Sequence, residues 1–198
     1  EIEHDNLRAA LKWAMGRGLS EASLRLAGNL ARFWYLHGYW REGRDWLTQT
    51  LSQTDTRTAS PALRPARAKA LAGAAWLMDE EGSDIPLYEA SLNLYRELED
   101  GWGQAFALRG LGATWLNQGN AERAAPLLDE SLTLFRELGD PWGIALALYN
   151  LGWLVGVRYD VEQTQAGWDE GLRLFRQSGD RWGIAVTLGA LSYLARLK

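Results

Sequence analysis

The chain has 198 residues, with 21 Lys+Arg against 25 Asp+Glu, a net charge of −4, 47% hydrophobic residues, 11 tryptophans and no cysteine. Without cysteine there are no disulfides, thiolate metal sites or cysteine nucleophiles, and two distant histidines, His4 and His37, leave little material for a metal site or a Ser/His/Asp triad. The acidic balance argues against a surface for nucleic acid, and no apolar run approaches the roughly 18 residues that cross a bilayer.

In chain order, the sequence opens at Glu1 with no signal-peptide pattern and reads as a cytoplasmic segment cut from a longer protein. A first helix is expected over 3–17, with His4, Asp5 and Asn6 near its start. Ala27, Leu30, Ala31 and Trp34 predict a helix over 21–37 that ends at His37, and Gly38 turns the chain into a third helix over 41–53. The polar stretch from Gln53 to Pro65 is the longest connection and the expected flexible point. Helices over 62–79 and 85–98 follow.

From this point the chain repeats itself. LNLYRELEDGWGQAFAL from Leu92, LTLFRELGDPWGIALAL from Leu132 and LRLFRQSGDRWGIAVTL from Leu172 align without a gap, and Trp102, Trp142 and Trp182 stand 40 residues apart. Within the period the apolar spacing predicts two helices, giving 102–118 and 121–138, then 142–157 and 161–178, and a last helix over 182–197. Gly119 and Asn120 form the turn inside a unit, while Gly139 and Gly179 are placed to end one helix in the left-handed conformation. Asp140 and Asp180 then cap the next, with Pro141 at its first position. The three tryptophans are expected as buried wedges between units, and Gly110, Gly112, Gly152 and Gly156 as points of close helix approach. The organisation is one array: an N-terminal helix over 1–20, repeats over 21–60, 61–100, 101–140 and 141–180, and a truncated fifth over 181–198.

The order Leu108, Leu111, Gly112, Trp115, Gly119, Ala124, Leu128, Ser131 resembles the tetratricopeptide consensus, with a period of 40 rather than 34. Such long-period arrays are similar to those in kinesin light chains and bacterial regulators. The first segment, EHDNLRAALKWAMGRG followed by LRLAGNLARFWYLHGYWREGRDWL, resembles the C-terminal repeat region of large bacterial signal-transduction ATPases with LuxR-type or related DNA-binding domains. The resemblance implies an all-α fold, a right-handed superhelix of about ten helices in antiparallel pairs. It also implies a parent protein whose ATPase and helix-turn-helix lie outside these residues, which contain no GxxxxGK[ST] loop. HEAT or armadillo repeats are the alternative architecture.

By the same resemblance the first helix of each pair lines a concave groove. Its candidate binding residues are Arg32 and Tyr35; Lys69 and Trp76; Arg109 and Asn117; Tyr149, Asn150 and Trp153; and Tyr193. Cations together with rigid aromatic rings suit an extended protein or peptide segment bearing a carboxylate or phosphate. Asn150 has a second reading, a packing amide satisfied by its neighbours. The adjacent acids Asp129 with Glu130 and Asp169 with Glu170 read as a solvated outer face. No nucleophile, base and orienting group converge in the sequence, so no enzymatic activity, catalytic residue, cofactor or metal is expected. The expected function is a protein-binding regulatory module of a transcriptional regulator. A small-molecule effector domain is the alternative, and self-association through the last helix a further one. Direct binding of nucleic acid or membrane is not expected.

Overall fold

The computed structural model describes residues 2–54, 61–78, 82–154 and 160–196. Among them are ten α-helices and no strand: α1 (Ile2–Gly16), α2 (Ser20–Leu36), α3 (Trp40–Ser52), α4 (Arg64–Trp76), α5 (Ile85–Glu97), α6 (Gly101–Asn117), α7 (Ala121–Glu137), α8 (Pro141–Gly152), α9 (Val161–Ser178) and α10 (Arg181–Ala195). A 3-10 turn, Pro61–Leu63, precedes α4. The expected all-α class and ten-helix count agree with this order. No helix among the described residues is long and apolar enough to cross a membrane.

Helix boundaries follow the capping chemistry. The Asp140 carboxylate accepts from the backbone N–H of Trp142 (3.0 Å) and Gly143 (3.2 Å), and Asp180 accepts from Gly183 N–H (2.9 Å). Gly139 and Gly179 take φ of 63° and 68°, and the N–H groups of Asp140 and Asp180 bond back to the carbonyls of Phe135 and Phe175, so each helix is closed and the next one opened within two residues. Where the repeat has Glu99 in place of that glycine, the residue still adopts φ of 54°. Asp160 and Gln163 form a reciprocal capping box at the start of α9.

The helix expected over 142–157 ends earlier, at Gly152. Trp153 and Leu154 N–H groups bond three residues back, to Asn150 and Leu151, which tightens and stops the last turn. Gly156 and the rest of that expected helix, and most of the connection expected to be flexible, 55–60, lie outside the described residues.

The chain divides into two compact units, Glu1–Gly103 and Gln104–Lys198. In the first, α2 packs on α3 and α4, and α4 on α5. Leu11, Leu24, Ala27, Ala31, Trp34, Leu47, Ala66, Ala70, Ala74 and Leu77 form its core. Alanine and glycine let α2 and α4 approach closely; a Cβ at Gly73 would overlap that of Ala31. In the second unit α8 packs on α7 and α9, and α9 on α10. Here Gly112 lies under Leu128 and Gly152 under the fully buried Trp168, whose indole N–H donates to the Tyr149 carbonyl (3.0 Å).

The buried aromatic at each unit junction is not the repeating tryptophan. Tyr95, Phe135 and Phe175, each eight residues before the glycine of the WG pair, fill the space over Gly103, Gly143 and Gly183. Trp102 keeps 37% of its surface exposed, and Trp142 and Trp182 are half-buried. The expectation of three buried tryptophan wedges is therefore corrected. A residue two positions after a helix cap begins the first turn, at the edge of the packed face, while one seven or eight before the glycine points across it.

Candidate functional site

In the first unit the expected binding residues share one face of α2 and α4. Arg32 is exposed on α2, one turn from Asn29 and Tyr35. Lys69 on α4 donates through Nζ to Asn29 Oδ1 at 2.6 Å, so its ammonium is anchored. Tyr35 stacks on Trp76 with ring centres 4.5 Å apart and planes 20° from parallel, and Trp40, which the sequence reading omitted, also stacks on Tyr35, at 6.1 Å. The Trp40 indole N–H donates to the Tyr35 carbonyl (2.8 Å), fixing a three-ring stack beside two polar side chains.

In the second unit the expected residues come from α6, α8 and α10. Arg109 is only 7% exposed, and its Nε and Nη2 are buried with no hydrogen-bond partner. Its guanidinium carbon lies 4.9 Å from the centre of the Phe106 ring, a cation–π contact that holds the group in place without satisfying its N–H donors. Phe106 in turn stacks on Trp142 (6.5 Å, 14°), and the Trp142 indole N–H donates to the Asp180 carboxylate at 2.6 Å. The second tryptophan of the repeat thus packs at the edge of the core and braces the cap of α10.

One period after Arg109 stands Tyr149, half-buried, with Trp153 edge-on at 6.1 Å and Trp182 at 6.4 Å. Trp153, 40% exposed, also meets Tyr193 of α10 at 5.8 Å and the buried Trp168 at 5.3 Å. Tyr149, Trp153 and Tyr193 therefore form one aromatic patch. Asn117 is exposed at the end of α6 and is not one of the rings of that patch. Asn150 Oδ1 is buried and accepts no hydrogen bond, so the reading of Asn150 as a fully satisfied packing amide does not describe its carbonyl.

Sequence reasoning set His4 aside as uninformative. In the structure it is buried against Tyr39 (4.3 Å) and Phe33 (5.4 Å), with Nε2 3.3 Å from Glu42 Oε1. Arg8 donates to both oxygens of Glu42, at 2.6 and 2.7 Å, and this bidentate bond holds the Glu42 carboxyl below the usual carboxylate range. Pairings 34 and 38 residues apart leave no periodic trace, which is why the pattern did not reveal them. On the second-helix face Glu170 pairs with Arg136 at 3.5 Å, as a solvated surface would.

Part of the chain is similar to segments of proteins named as regulators. It is 37% identical over 135 residues to proteins named "Putative HTH-type transcriptional regulator" in Mycobacterium tuberculosis and Mycobacterium bovis; the match takes in 63% of this chain and 15% of theirs. The chain thus spans about 15% of the length of the curated relatives it matches. The crystal structure of BtubC (BKLC) from P. vanneervenii superposes with a TM-score of 0.63 over 98% of this chain and 89% of that one, at 16% identity, a likeness of fold. No family model matches the sequence.

Proposed function

We propose that the chain is a tetratricopeptide-type interaction module of a transcriptional regulator, and that it acts by binding a protein or peptide segment without catalysis. The likeness to HTH-type regulators supports the setting, and the 40-residue helix-pair period supports the repeat class. The observation that carries the binding role is the aromatic patch of α8 and α10, in which Trp153 and Tyr193 each keep 40% of their surface exposed while their rings meet at 5.8 Å. Tyr149, Trp153 and Tyr193 supply rigid apolar area of the kind that anchors bound segments.

Panning a phage-displayed peptide library on the 198-residue chain tests this reading. Binders should be rich in apolar and aromatic residues, and Trp153→Ala and Tyr193→Ala should each weaken them by tenfold or more, about 1.4 kcal/mol. Arg173→Gln, on an exposed arginine of α9, serves as the neutral control. Failure to enrich any sequence, or binders indifferent to both variants, would overturn it. An effector pocket is the second reading, and a cavity of about 430 Å³ bordered by α7, α8 and α9 in the second unit favours it.

A further inference from the structure

The turn that closes α1 fixes its register. Gly18 takes φ of 69° and its N–H bonds the Met15 carbonyl, while Leu19 N–H returns to the Ala14 carbonyl; Gly179 and Asp180 return in the same way to Arg176 and Phe175 at the end of α9. Ala14 therefore stands where α9 has Phe175, Trp13 where it has Leu174, and Ala10 where it has Gly171. The match in burial holds for one face only. Leu11 and Ala14 are buried, as are their counterparts Leu172 and Phe175. On the other face Thr164, Gly171 and Leu174 of α9 are buried, whereas Glu3, Ala10 and Trp13 of α1 are exposed, Trp13 over 61% of its surface.

α10 has the complementary bare face. Ala145, Leu148 and Gly152 of α8 are buried, but one period later Ala185, Leu188 and Ser192 of α10 are exposed, Leu188 over 44% of its surface. The helix that covers the α8 residues is α9. A Cβ at Gly171 would lie 3.5 Å from the Ala145 carbonyl oxygen and 3.8 Å from Leu148 Cβ, and Trp168 rests on Gly152, so the two helices run antiparallel. α7 lies on α6 in the same register, where the Ser131 hydroxyl donates to the Ala105 carbonyl at 2.8 Å.

α1 thus presents the face that the second helix of a pair lays on the first, and α10 the face that a first helix offers its second. An outer face of a helical array meant for water is polar, and these two carry a tryptophan and a leucine. We infer that α1 of one copy of the chain docks antiparallel on α10 of a second copy, completing a helix pair between them, so that copies associate head to tail. Ala10 then takes the place of Gly171 against Ala185 and Leu188, where a methyl meets only ordinary contacts. Trp13 takes that of Leu174, which shares a core with Ala145 and Leu146, and so meets Ala185 and Val186. Charge selects this pairing over a symmetric one. Glu3, in the first turn of α1, lies toward the end of α10, where Arg196 is exposed one turn beyond Ser192. Two α10 helices set against each other bring arginine to arginine in either direction, because exposed Arg181 and Arg196 stand at the two ends of one stripe.

The test reads mass rather than peptide capture, so this inference and the binding role can fail separately. Sedimentation velocity of the 198-residue chain between about 10 µM and about 1 mM should show an average mass that rises with concentration. Trp13→Arg and Leu188→Arg each change an exposed side chain, so both variants should keep the native melting temperature, and each alone should be monomeric. Mixed in equal amounts they should form a one-to-one pair and grow no further, because the first retains an intact α10 face and the second an intact α1 face. Adding Glu3→Lys to the Leu188→Arg chain should weaken that pair at low salt, and Arg196→Glu in the Trp13→Arg chain should restore it. A native chain that stays monomeric at the highest concentration, self-association by either variant alone, or a mixture that does not pair would each overturn the assignment.

Discussion

The ring of Phe135 occupies the space that a side chain at Gly143 would take. Tyr95 over Gly103 and Phe175 over Gly183 repeat the relationship, so the glycine of each WG pair is the seat of a buried aromatic from the preceding helix. Gly143→Ala should therefore destabilise the protein by about 2 kcal/mol, because overpacking outweighs the gain in helix propensity. Gly167→Ala, where the new methyl meets open space, should leave stability unchanged or raise it. Urea denaturation of the two variants side by side checks the contrast.

Tryptophans of this chain differ in energetic role by position rather than by place in the repeat. Trp168 is fully buried on Gly152, and Trp168→Ala should cost about 4 kcal/mol, the range of large-to-small core changes. Trp142 is half-buried and bonds the Asp180 carboxylate, so Trp142→Ala should cost about 2 kcal/mol, much of it recovered in no variant that lacks an indole N–H. Trp142→Phe, which keeps an aromatic ring without that donor, isolates the hydrogen bond. Equal melting losses for Trp168→Ala and Trp142→Ala would show that the assignment of depth is wrong.

Glu42 links α1 to α3 through Arg8, and the bond holds its carboxyl below the usual range. A carboxyl depressed in the folded state contributes stability above its unfolded pKa and loses it as pH falls through the folded value. The stability advantage of the native chain over Glu42→Gln should thus be full near neutrality and disappear in acid, as the pH falls below the ordinary glutamate range and through the lowered folded value. Melting curves of the two proteins across that range report the difference directly, and an advantage that persists at the acid end would contradict it.

Arg109 should be dispensable for folding. Its guanidinium is buried with two donors unpaired, so Arg109→Met, similar in length and apolar, should leave stability unchanged or raise it by about 1–2 kcal/mol. Loss of stability by a comparable amount would mean that the contact with Phe106 outweighs the unmet donors.

Much of the architecture was legible in the sequence because helix signals are local. The 40-residue period, the Gly-Asp pair that ends one helix and caps the next, and the contact glycines Gly112 and Gly152 depend on residues within a turn or two of one another, and the structure places them as expected. The helical face shared by Arg32, Tyr35, Lys69 and Trp76 was implied by the resemblance to tetratricopeptide arrays, and spacing along each helix agrees with it. Tertiary structure alone decided depth. Whether Trp142 or Phe135 is the buried ring, whether Arg109 meets water, which carboxylate Arg8 grips, and whether Gly167, where the preceding copy has Leu127, borders a cavity all depend on how far neighbouring helices stand off. That distance is set by side chains on other helices, tens of residues away in the chain.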